Sequence, residues 1–244
     1  MEYIPKFSSK AGLSSSLNGL SSMNKQASST RDVVYATLKQ LILSLKLPPG
    51  TAISEKEISL EFQVSRTPVR ESFVRLAQEG LLEVYPQRGT YVSLIQVDLV
   101  EEARFMREQL ERAVIRLACE HFPDQEMILL EQNLAQQQAC LLQPDDERMF
   151  QLDEEFHSTL FAGCNKSKTW TVIQQMNVHL NRSRMLRLSS DHQWDHLIQQ
   201  HRSMVKAIQQ HDAQTAERIM QEHLHLTVTD LAILQDTYPS YFQQ

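Results

Sequence analysis

One aspartate and three histidines in the second half of the chain have the spacing of a metal-binding group. Asp153 and His157 are four residues apart in "FQLDEEFHSTLFAGCN", so on a helix they share one face. His201 and His223 lie on either side of a break at residues 211 to 212, which predicts two helices joined by a turn. If these helices pack antiparallel, all four side chains can face one interior. A carboxylate with three neutral imidazoles suits Zn²⁺, Mn²⁺ or Ni²⁺, with positions left open for water or a ligand.

The spacing alone leaves two other interpretations open. A metal-dependent enzyme is one, because such a site can activate water. Against it, Glu154 and Glu155 are expected to point away from the Asp153 face, which leaves no obvious general base. The other is that each histidine is a hydrogen-bonded helix residue, since the chain has 9 histidines and many chance pairs. That interpretation is kept for His121, His179, His192, His196, His211 and His225.

Three arginines in "SRTPVRESFVRLAQEGLLEVYPQRGTYV" have the positions of nucleic-acid contacts. Arg66 and Arg70 share one face at the start of a predicted helix, where an arginine can hold guanine O6 and N7 in a major groove. Ser65 and Thr67 can reach a phosphate or a base edge beside them. Arg88 lies in a predicted hairpin turn, from which it can enter the minor groove or touch the backbone. Each arginine alone is typical of an ordinary surface charge, and the combination favours DNA binding.

The elements that carry these arginines are predicted from periodicity and capping residues. Residues 31–46 place apolar side chains on one helical face and end at "LPPG". Ser54 and Glu57 form a capping box that begins a second, short helix. Ser65 is a good N-cap for a third helix, which Gly80 ends. Two short β-favouring segments then flank residues 86–89. Three helices and a hairpin predict a winged helix-turn-helix.

Almost everything from Val97 onward has helical periodicity. The pattern therefore predicts a mainly α protein whose C-terminal part is an antiparallel, all-α bundle of about six helices. The glutamine runs "AQQQA" and "IQQH" are expected to be solvated helix faces. The predicted helices span residues 97–121, 124–142, 145–163, 167–189, 193–210 and 212–234.

The formal charge of the chain is −6, but it is unevenly distributed. Residues 31–92 are nearly neutral, whereas residues 93–244 carry most of the acidic side chains. A near-neutral segment with a few positioned arginines can bind DNA locally even in an acidic protein.

The rest of the composition indicates an intracellular protein. The segment of residues 1–29 is Ser-rich and predicts a disordered leader. The 3 cysteines form no CxxC pair, which suits free thiols in a reducing compartment and predicts a cytoplasmic location. No apolar run reaches the roughly 20 residues that span a bilayer, so no membrane partner is expected.

The segment "PPGTAISEKEISLEFQVSRTPVRESFVRLAQEGLLEVYPQRGTYVS" resembles the winged-helix domain of the GntR family of bacterial transcription regulators, almost without gaps. The resemblance implies a double-stranded DNA operator as partner, with Arg66 and Arg70 as base readers. Many family members have Arg where this chain has Lys56, so that contact is expected to be less directional. The implied DNA-binding residues are Lys56, Ser65, Arg66, Thr67, Arg70, Arg88 and Gly89.

Residues 97 to 234 resemble the FCD ligand-binding domain of the FadR subfamily of these regulators. "RFMREQLERAVIRLA" is similar to its opening helix and "DEEFHSTLFAGCN" to its Asp-x-x-x-His helix. The resemblance implies a divalent transition metal, with zinc expected and manganese or nickel as alternatives. It assigns as ligands Asp153, His157, His201 and His223.

Effectors of the metal-binding members are typically small carboxylates or sugar acids. Arg107 and Arg182 are candidates for holding such a carboxylate by paired hydrogen bonds. Both could equally form structural ion pairs, Arg107 with Glu111 at helical spacing. A metal-free regulator with structural histidines also stays open.

The chain is therefore expected to be a metabolite-responsive transcription regulator, a repressor by analogy with most relatives, and not an enzyme. One winged helix reads few base pairs, so a homodimer is expected. The expected domains are residues 1–29 as leader, residues 30–95 for DNA binding, and residues 97–236 for effector binding, metal binding and dimerisation.

Overall fold

The computed structural model describes residues 29–191 and 194–243, without the side chains of residues 191 and 226–230. The chain divides into two compact units. The first contains the residues up to Val97 together with those from Thr237 onward, and the second spans Asp98–Asp236. The predicted fold class is confirmed: the chain is mainly α, with a winged helix-turn-helix followed by a helical bundle.

The first unit is built from three helices and a small antiparallel sheet with strand order β1-β3-β2. Its elements are α1 (Thr30–Leu43), β1 (Ala52–Ile53), α2 (Glu55–Glu61), α3 (Arg66–Gln78), β2 (Leu82–Tyr85) and β3 (Gly89–Val92). The β2–β3 hairpin was predicted, but β1 was not. It is only two residues long, too short to show an alternating pattern, and it forms because Ala52 and Ile53 pair with Tyr91 and Thr90.

Serines occupy the N-cap positions of both α2 and α3. Ser54 Oγ accepts a hydrogen bond from the Glu57 amide at 3.2 Å, as the capping box predicts. The Glu57 side chain accepts from the Ser54 hydroxyl at 2.8 Å, whereas a full capping box would have the Ser54 amide as that donor. Ser65 occupies the N-cap position of α3, but its hydroxyl caps no backbone amide. The hydroxyl of Ser65 is therefore available at the exposed start of that helix.

The second unit contains helices that surround an apolar core. They are α4 (Val97–Glu120), α5 (Asp124–Cys140), α6 (Asp146–Gly163), α7 (Ser167–Met176), α8 (Val178–Asp191), α9 (Trp194–Gln209) and α10 (Ala213–Thr237). The core includes Ile115, Phe156, Leu160, Met204 and Met220, which come from α4, α6, α9 and α10. These four helices therefore share one interior.

The single helix predicted over residues 167–189 is instead two helices, α7 and α8, with Asn177 between them. The Asn177 amide still bonds to the Ile173 carbonyl at 3.0 Å, but its ψ of 9° lies outside the helical range. Asparagine is a weaker helix former than alanine or leucine, which is consistent with the break at this residue.

At the helix end on α6, Gly163 permits a close approach that any other residue would obstruct. A Cβ atom there would lie 2.3 Å from the ring of Phe122.

None of the helices in the described residues is long and apolar enough to cross a membrane.

A short tail after α10 belongs to the first unit. The Ile95 amide donates to the Tyr241 carbonyl at 2.8 Å, and the Gln243 amide donates to the Ile95 carbonyl at 2.9 Å. Phe242 is only 4% exposed. No pattern in the sequence predicts a partner for this segment, because two hydrogen bonds with one residue leave no periodic signature.

We expect Phe242→Ala to loosen the first unit around Ile95. Loss of a buried phenylalanine side chain costs about 3 kcal/mol or more. Hydrogen exchange at the Ile95 amide, measured on the full chain, should become faster by a factor of about 100. Gln243→Ala is the control, since its side chain is exposed and its backbone donor is kept. Equal exchange in Phe242→Ala and the wild-type chain would contradict the packing role.

Candidate functional site

The structure brings Asp153, His157, His201 and His223 together in the second unit. Each offers one ligand atom, and these atoms lie within 4.8 Å of one another. Asp153 and His157 come from consecutive turns of α6, His201 from α9 and His223 from α10. All four side chains are buried.

The three Nε2 atoms converge on the carboxylate. Asp153 Oδ1 is 3.6 Å from Nε2 of His201 and 4.0 Å from Nε2 of His223, and Oδ2 is 3.8 Å from Nε2 of His157. Nε2 of His157 is 3.2 Å from Nε2 of His223. The site thus presents three imidazole nitrogens and a carboxylate to a common centre.

The other ring nitrogen of each histidine faces an acceptor. Nδ1 of His201 lies 2.9 Å from Gln137 Oε1, and Nδ1 of His223 lies 3.1 Å from Gln200 Oε1. Nδ1 of His157 contacts Glu111 Oε2. An acceptor at Nδ1 requires the proton there, so each Nε2 presents a lone pair to the centre.

This arrangement fits a divalent transition metal. Two imidazole lone pairs that face each other at 3.2 Å repel, and a cation between them turns this repulsion into attraction. Nε2 of His201 is buried without a hydrogen-bond partner in the described part of the chain. A buried acceptor is costly unless something satisfies it. The donor set is one that Zn²⁺, Mn²⁺ and Ni²⁺ accept.

Two arginines, Arg107 buried and Arg184 partly buried, contact the carboxylates next to this cluster. Arg184 contacts Asp153 Oδ2 and donates to Glu154 Oε1 at 2.5 Å. Arg107 donates through Nε to Glu111, and its Nη1 lies 3.6 Å from Glu154 Oε1. The expectation that Glu154 points away from the site was wrong, because it reaches the same arginine that contacts Asp153. Glu155 is exposed, as expected.

These charges set the protonation states of the cluster. Burial alone would raise the pKa of Glu111, but Arg107 and His157 outweigh it and lower the pKa to about 2. Burial also opposes ionisation of Asp153, and Arg184 followed by the histidines holds its pKa well below the usual range. Burial lowers the pKa of His201 far below its ordinary value, with a further contribution from His223. It lowers that of His223 to about 3, where His157 adds to the effect. Both carboxylates are therefore ionised and both of these imidazoles neutral at pH 7.

The two predicted effector-binding arginines are both buried in the second unit. Arg107 is 1% exposed, and its Nη2 has no hydrogen-bond partner among the described residues. Its guanidinium also lies over the Trp170 ring, 5.6 Å from the centroid. Arg182 is 0% exposed and its Nη2 is 3.0 Å from Nδ1 of His179. Neither atom of the Asn177 side-chain amide has a partner in the described chain, although the residue is fully buried.

The predicted DNA-binding residues all belong to the first unit and are all exposed. They are Lys56, Ser65, Arg66, Thr67, Arg70, Arg88 and Gly89. Arg66 and Arg70 lie in the first turns of α3, and Arg88 lies in the turn between β2 and β3. Throughout residues 29–191 and 194–243, no carboxylate forms an ion pair with any of these three arginines.

The turn that carries Arg88 has a defined conformation. Gly89 has φ +117°, a region that favours glycine, and Gln87 before it has φ 62°. Tyr91 Oη donates to the Arg88 carbonyl at 3.0 Å, and its ring lies edge-on to Tyr85 at 5.8 Å. The position of Arg88 is therefore fixed from both strands of the hairpin.

The residues that contact and orient the candidate metal-ligating side chains were not predicted from the sequence. The expectation that "AQQQA" is a solvated face was wrong for Gln137, which is 0% exposed and contacts His201. Gln200 is half-buried against His223. Glu111 was identified as a partner for Arg107 but not for His157, and Arg184 was not identified. Only the Glu111 spacing to Arg107 offered a local signal.

Comparisons with known proteins agree with both halves of the chain. The family model described as "Bacterial regulatory proteins, gntR family" matches residues 30–92, and the "FCD domain" model matches residues 102–226. The chain is 35% identical over 191 residues to the HTH-type transcriptional repressor RspR of Escherichia coli K12, covering 78% of this chain and 84% of that protein. It is 34% identical over 209 residues to an HTH-type transcriptional regulator in an unstable DNA locus of Streptomyces ambofaciens, covering 86% and 88%.

Solved structures share the fold at low sequence identity. E. coli McbR/YncC has a TM-score of 0.74 with 22% identity, covering 86% of this chain and 99% of that one. A GntR-type regulator from Rhodococcus sp. RHA1 has a TM-score of 0.71 with 20% identity, covering 84% and 99%.

We expect the metal-free chain to lose stability as the pH falls from 7 to 4. The pKa values of His201 and His223 are lower in the folded state than their ordinary value near 6.5, so below that pH the unfolded chain binds more protons. The lowered carboxylate pKa values of Asp153 and Glu111 act in the same direction below about pH 4.

Each such group contributes a slope of about 1.4 kcal/mol per pH unit in its window. Urea unfolding of chelator-treated protein at several pH values measures this slope. His223→Gln should reduce it by about one proton between pH 6 and 4. An unchanged slope would mean that His223 is already charged in the folded chain.

Proposed function

Since the chain belongs to the GntR family of bacterial regulatory proteins and joins its winged helix to an FCD domain in a FadR-like architecture, we propose that it is a transcription regulator whose DNA binding responds to a metal-bound metabolite. Membership of the family establishes a DNA-binding transcription regulator and not an enzyme. The metal, the effector and the residues that hold them are the proposed part.

We assign operator reading to residues 30–95. Arg66 and Arg70 project from the start of α3 without carboxylate partners in the described chain, so their guanidinium groups are available for bidentate bonds to guanine. Ser65 Oγ and the free amides at the start of α3 can bind a phosphate. Lys56, Thr67, Arg88 and Gly89 supply further contacts to the backbone or the minor groove.

We assign metal and effector binding to residues 97–236. The observation that carries this proposal is the convergence of three Nε2 lone pairs and a carboxylate on one buried centre. Zinc is the first candidate, followed by manganese and nickel. When bound, such a metal supplies Lewis acidity toward an oxygen ligand. The residues of the chain fix the donors, neutralise Asp153 through Arg184 and exclude water.

The proposed effector is a small carboxylate or sugar acid. Arg107 Nη2 is a buried donor whose partner is missing among the described residues, which favours an anionic or carbonyl oxygen there. The Asn177 amide, also buried and unsatisfied, can donate and accept beside a hydroxyl-bearing ligand. Arg182 stays a candidate on its burial, although its contact with His179 also suits a structural role.

We further propose that the protein acts in the cytoplasm as a homodimer that represses transcription until the effector binds. RspR of E. coli, one of its relatives, is named a repressor. A two-fold dimer would double the number of base pairs that one winged helix reads.

We expect close to one transition metal per chain in untagged protein purified without chelator. Elemental mass spectrometry measures this content, and a His157→Ala, His201→Ala double variant should lose it. His196→Ala, at an exposed position on α9, is the matched control and should keep the metal. No metal in any of the chains after addition of Zn²⁺, Mn²⁺ or Ni²⁺ would make the cluster a polar core.

We expect Arg66→Ala to weaken operator binding by about 1–3 kcal/mol and to relax the base preference at one position of each half-site. Fluorescence anisotropy with the operator and with point-substituted duplexes measures both effects. Arg218→Ala removes an exposed charge from α10 and should leave binding unchanged. Operator affinity that is equal for Arg66→Ala and wild-type protein would refute the groove assignment.

A further inference from the structure

We propose that Gln137 and Asn133 are positioning residues for His201, forming a buried relay of amides that starts at the Leu152 carbonyl and leaves Nε2 of His201 as the metal donor. The inference rests on the metal site proposed above. It concerns how the protein determines the tautomer and orientation of His201. The relay itself consists of protein atoms alone.

The direction of every hydrogen bond in the relay follows from its first member. The Leu152 carbonyl can only accept, and Asn133 Nδ2 donates to it at 2.9 Å. Asn133 Oδ1 must then face Gln137, whose Nε2 donates to it at 2.6 Å. Gln137 Oε1 is therefore turned to His201, 2.9 Å from Nδ1. Since an amide oxygen only accepts, Nδ1 carries the proton and Nε2 keeps its lone pair.

Reversing any member of the relay places like groups against each other. A flipped Asn133 would set its oxygen against the Leu152 carbonyl, and a flipped Gln137 would set its oxygen against Asn133 Oδ1 and its NH₂ group against the imidazole N–H. The relay is buried, so water cannot repair such a mismatch. One backbone carbonyl thus determines the tautomer of a side chain three groups away.

The positions of these amides on α5 argue for a positioning role over a packing role. Asn133 and Gln137 occupy the buried face of α5 together with Leu130 and Cys140, where apolar residues would fill the space without the cost of burying amides. The ring of His201 is also stacked on Phe156, 4.1 Å between centroids and 17° between planes. Stacking fixes the plane of the ring, and the relay fixes which nitrogen faces Asp153.

The relay also distinguishes His201 from His157, which has a carboxylate behind it. Amides carry no charge, so two of the three imidazoles, those of His201 and His223, are oriented without adding negative charge to the site. Acceptors behind metal-binding histidines typically change metal affinity by 10–100-fold when they are removed.

Two substitutions at residue 137 separate this role from simple packing. Gln137→Met keeps the length and fills the cavity but removes the acceptor, whereas Gln137→Glu keeps an oxygen toward Nδ1. A positioning role predicts that Zn²⁺ affinity falls by about 10–100-fold in the Met variant and by clearly less in the Glu variant. A packing role predicts the reverse order, since methionine suits an apolar helix face and glutamate does not.

The experiment is a Zn²⁺ titration against a competing chelator, with the full-length chain in each case. Gln132→Met, at an exposed position on the same helix, is the matched control and should bind like wild type. The tautomer of His201 is read in parallel on the metal-free, ¹⁵N-labelled chain by two-bond ¹H–¹⁵N correlation. We expect Nδ1–H in wild-type protein and loss of that single tautomer in Gln137→Met.

The two measurements test the metal site and the relay independently. If wild-type protein binds no Zn²⁺, the metal proposal falls, and the tautomer spectrum still decides the relay. If Zn²⁺ binds equally to wild type and Gln137→Met, or if metal-free His201 carries its proton on Nε2, the relay is overturned while the metal site stands.

Discussion

The Asp153 carboxylate lies in the interior of the second unit, where an ionised group is stable only if cations and hydrogen-bond donors surround it. Much of the bundle can be understood from this requirement. Arg184 from α8 supplies the cationic donor, whereas His157, His201 and His223 turn lone pairs toward the same centre, where together with the carboxylate they could hold a metal ion. Arg184 in turn donates to Glu154, and Nδ1 of His157 contacts Glu111. These polar contacts therefore also connect the helices that share the apolar core. Each ionised side chain among them would be unstable in the interior without its partner.

The arginines of the two units illustrate opposite uses of the same side chain. Arg107 is buried and Arg184 partly buried, and both form ion pairs with carboxylates of the protein. Arg66 and Arg70 lie in water, and no carboxylate of the described chain engages them. An arginine kept free of internal partners retains its full capacity for an external anion. This separation explains how a chain with a formal charge of −6 can present a local surface suited to a polyanion.

The features that could be predicted from the sequence are those with local signals. The capping box at Ser54, the start of α3 after Ser65 and the i, i+4 pair of Asp153 and His157 each depend on neighbours within one helical turn. The break at Asn177 had no glycine or proline to mark it. The glutamines behind the histidines were hidden for a different reason. In a glutamine-rich helix nothing local distinguishes an amide that faces water from one that faces an imidazole, and only the packing of α5 against α9 decides.

The pairing of the tail with Ile95 has a consequence for the order of events during synthesis. Domains usually fold as they emerge from the ribosome, with the N-terminal part first. The winged helix can form its helices and hairpin early, but the strand-like contact at Ile95 must wait until the segment around Phe242 has been made. By then the whole helical bundle has been synthesised. The first unit to begin folding is thus among the last to be completed, and a ribosome-bound nascent chain would carry a winged helix with one apolar site still uncovered.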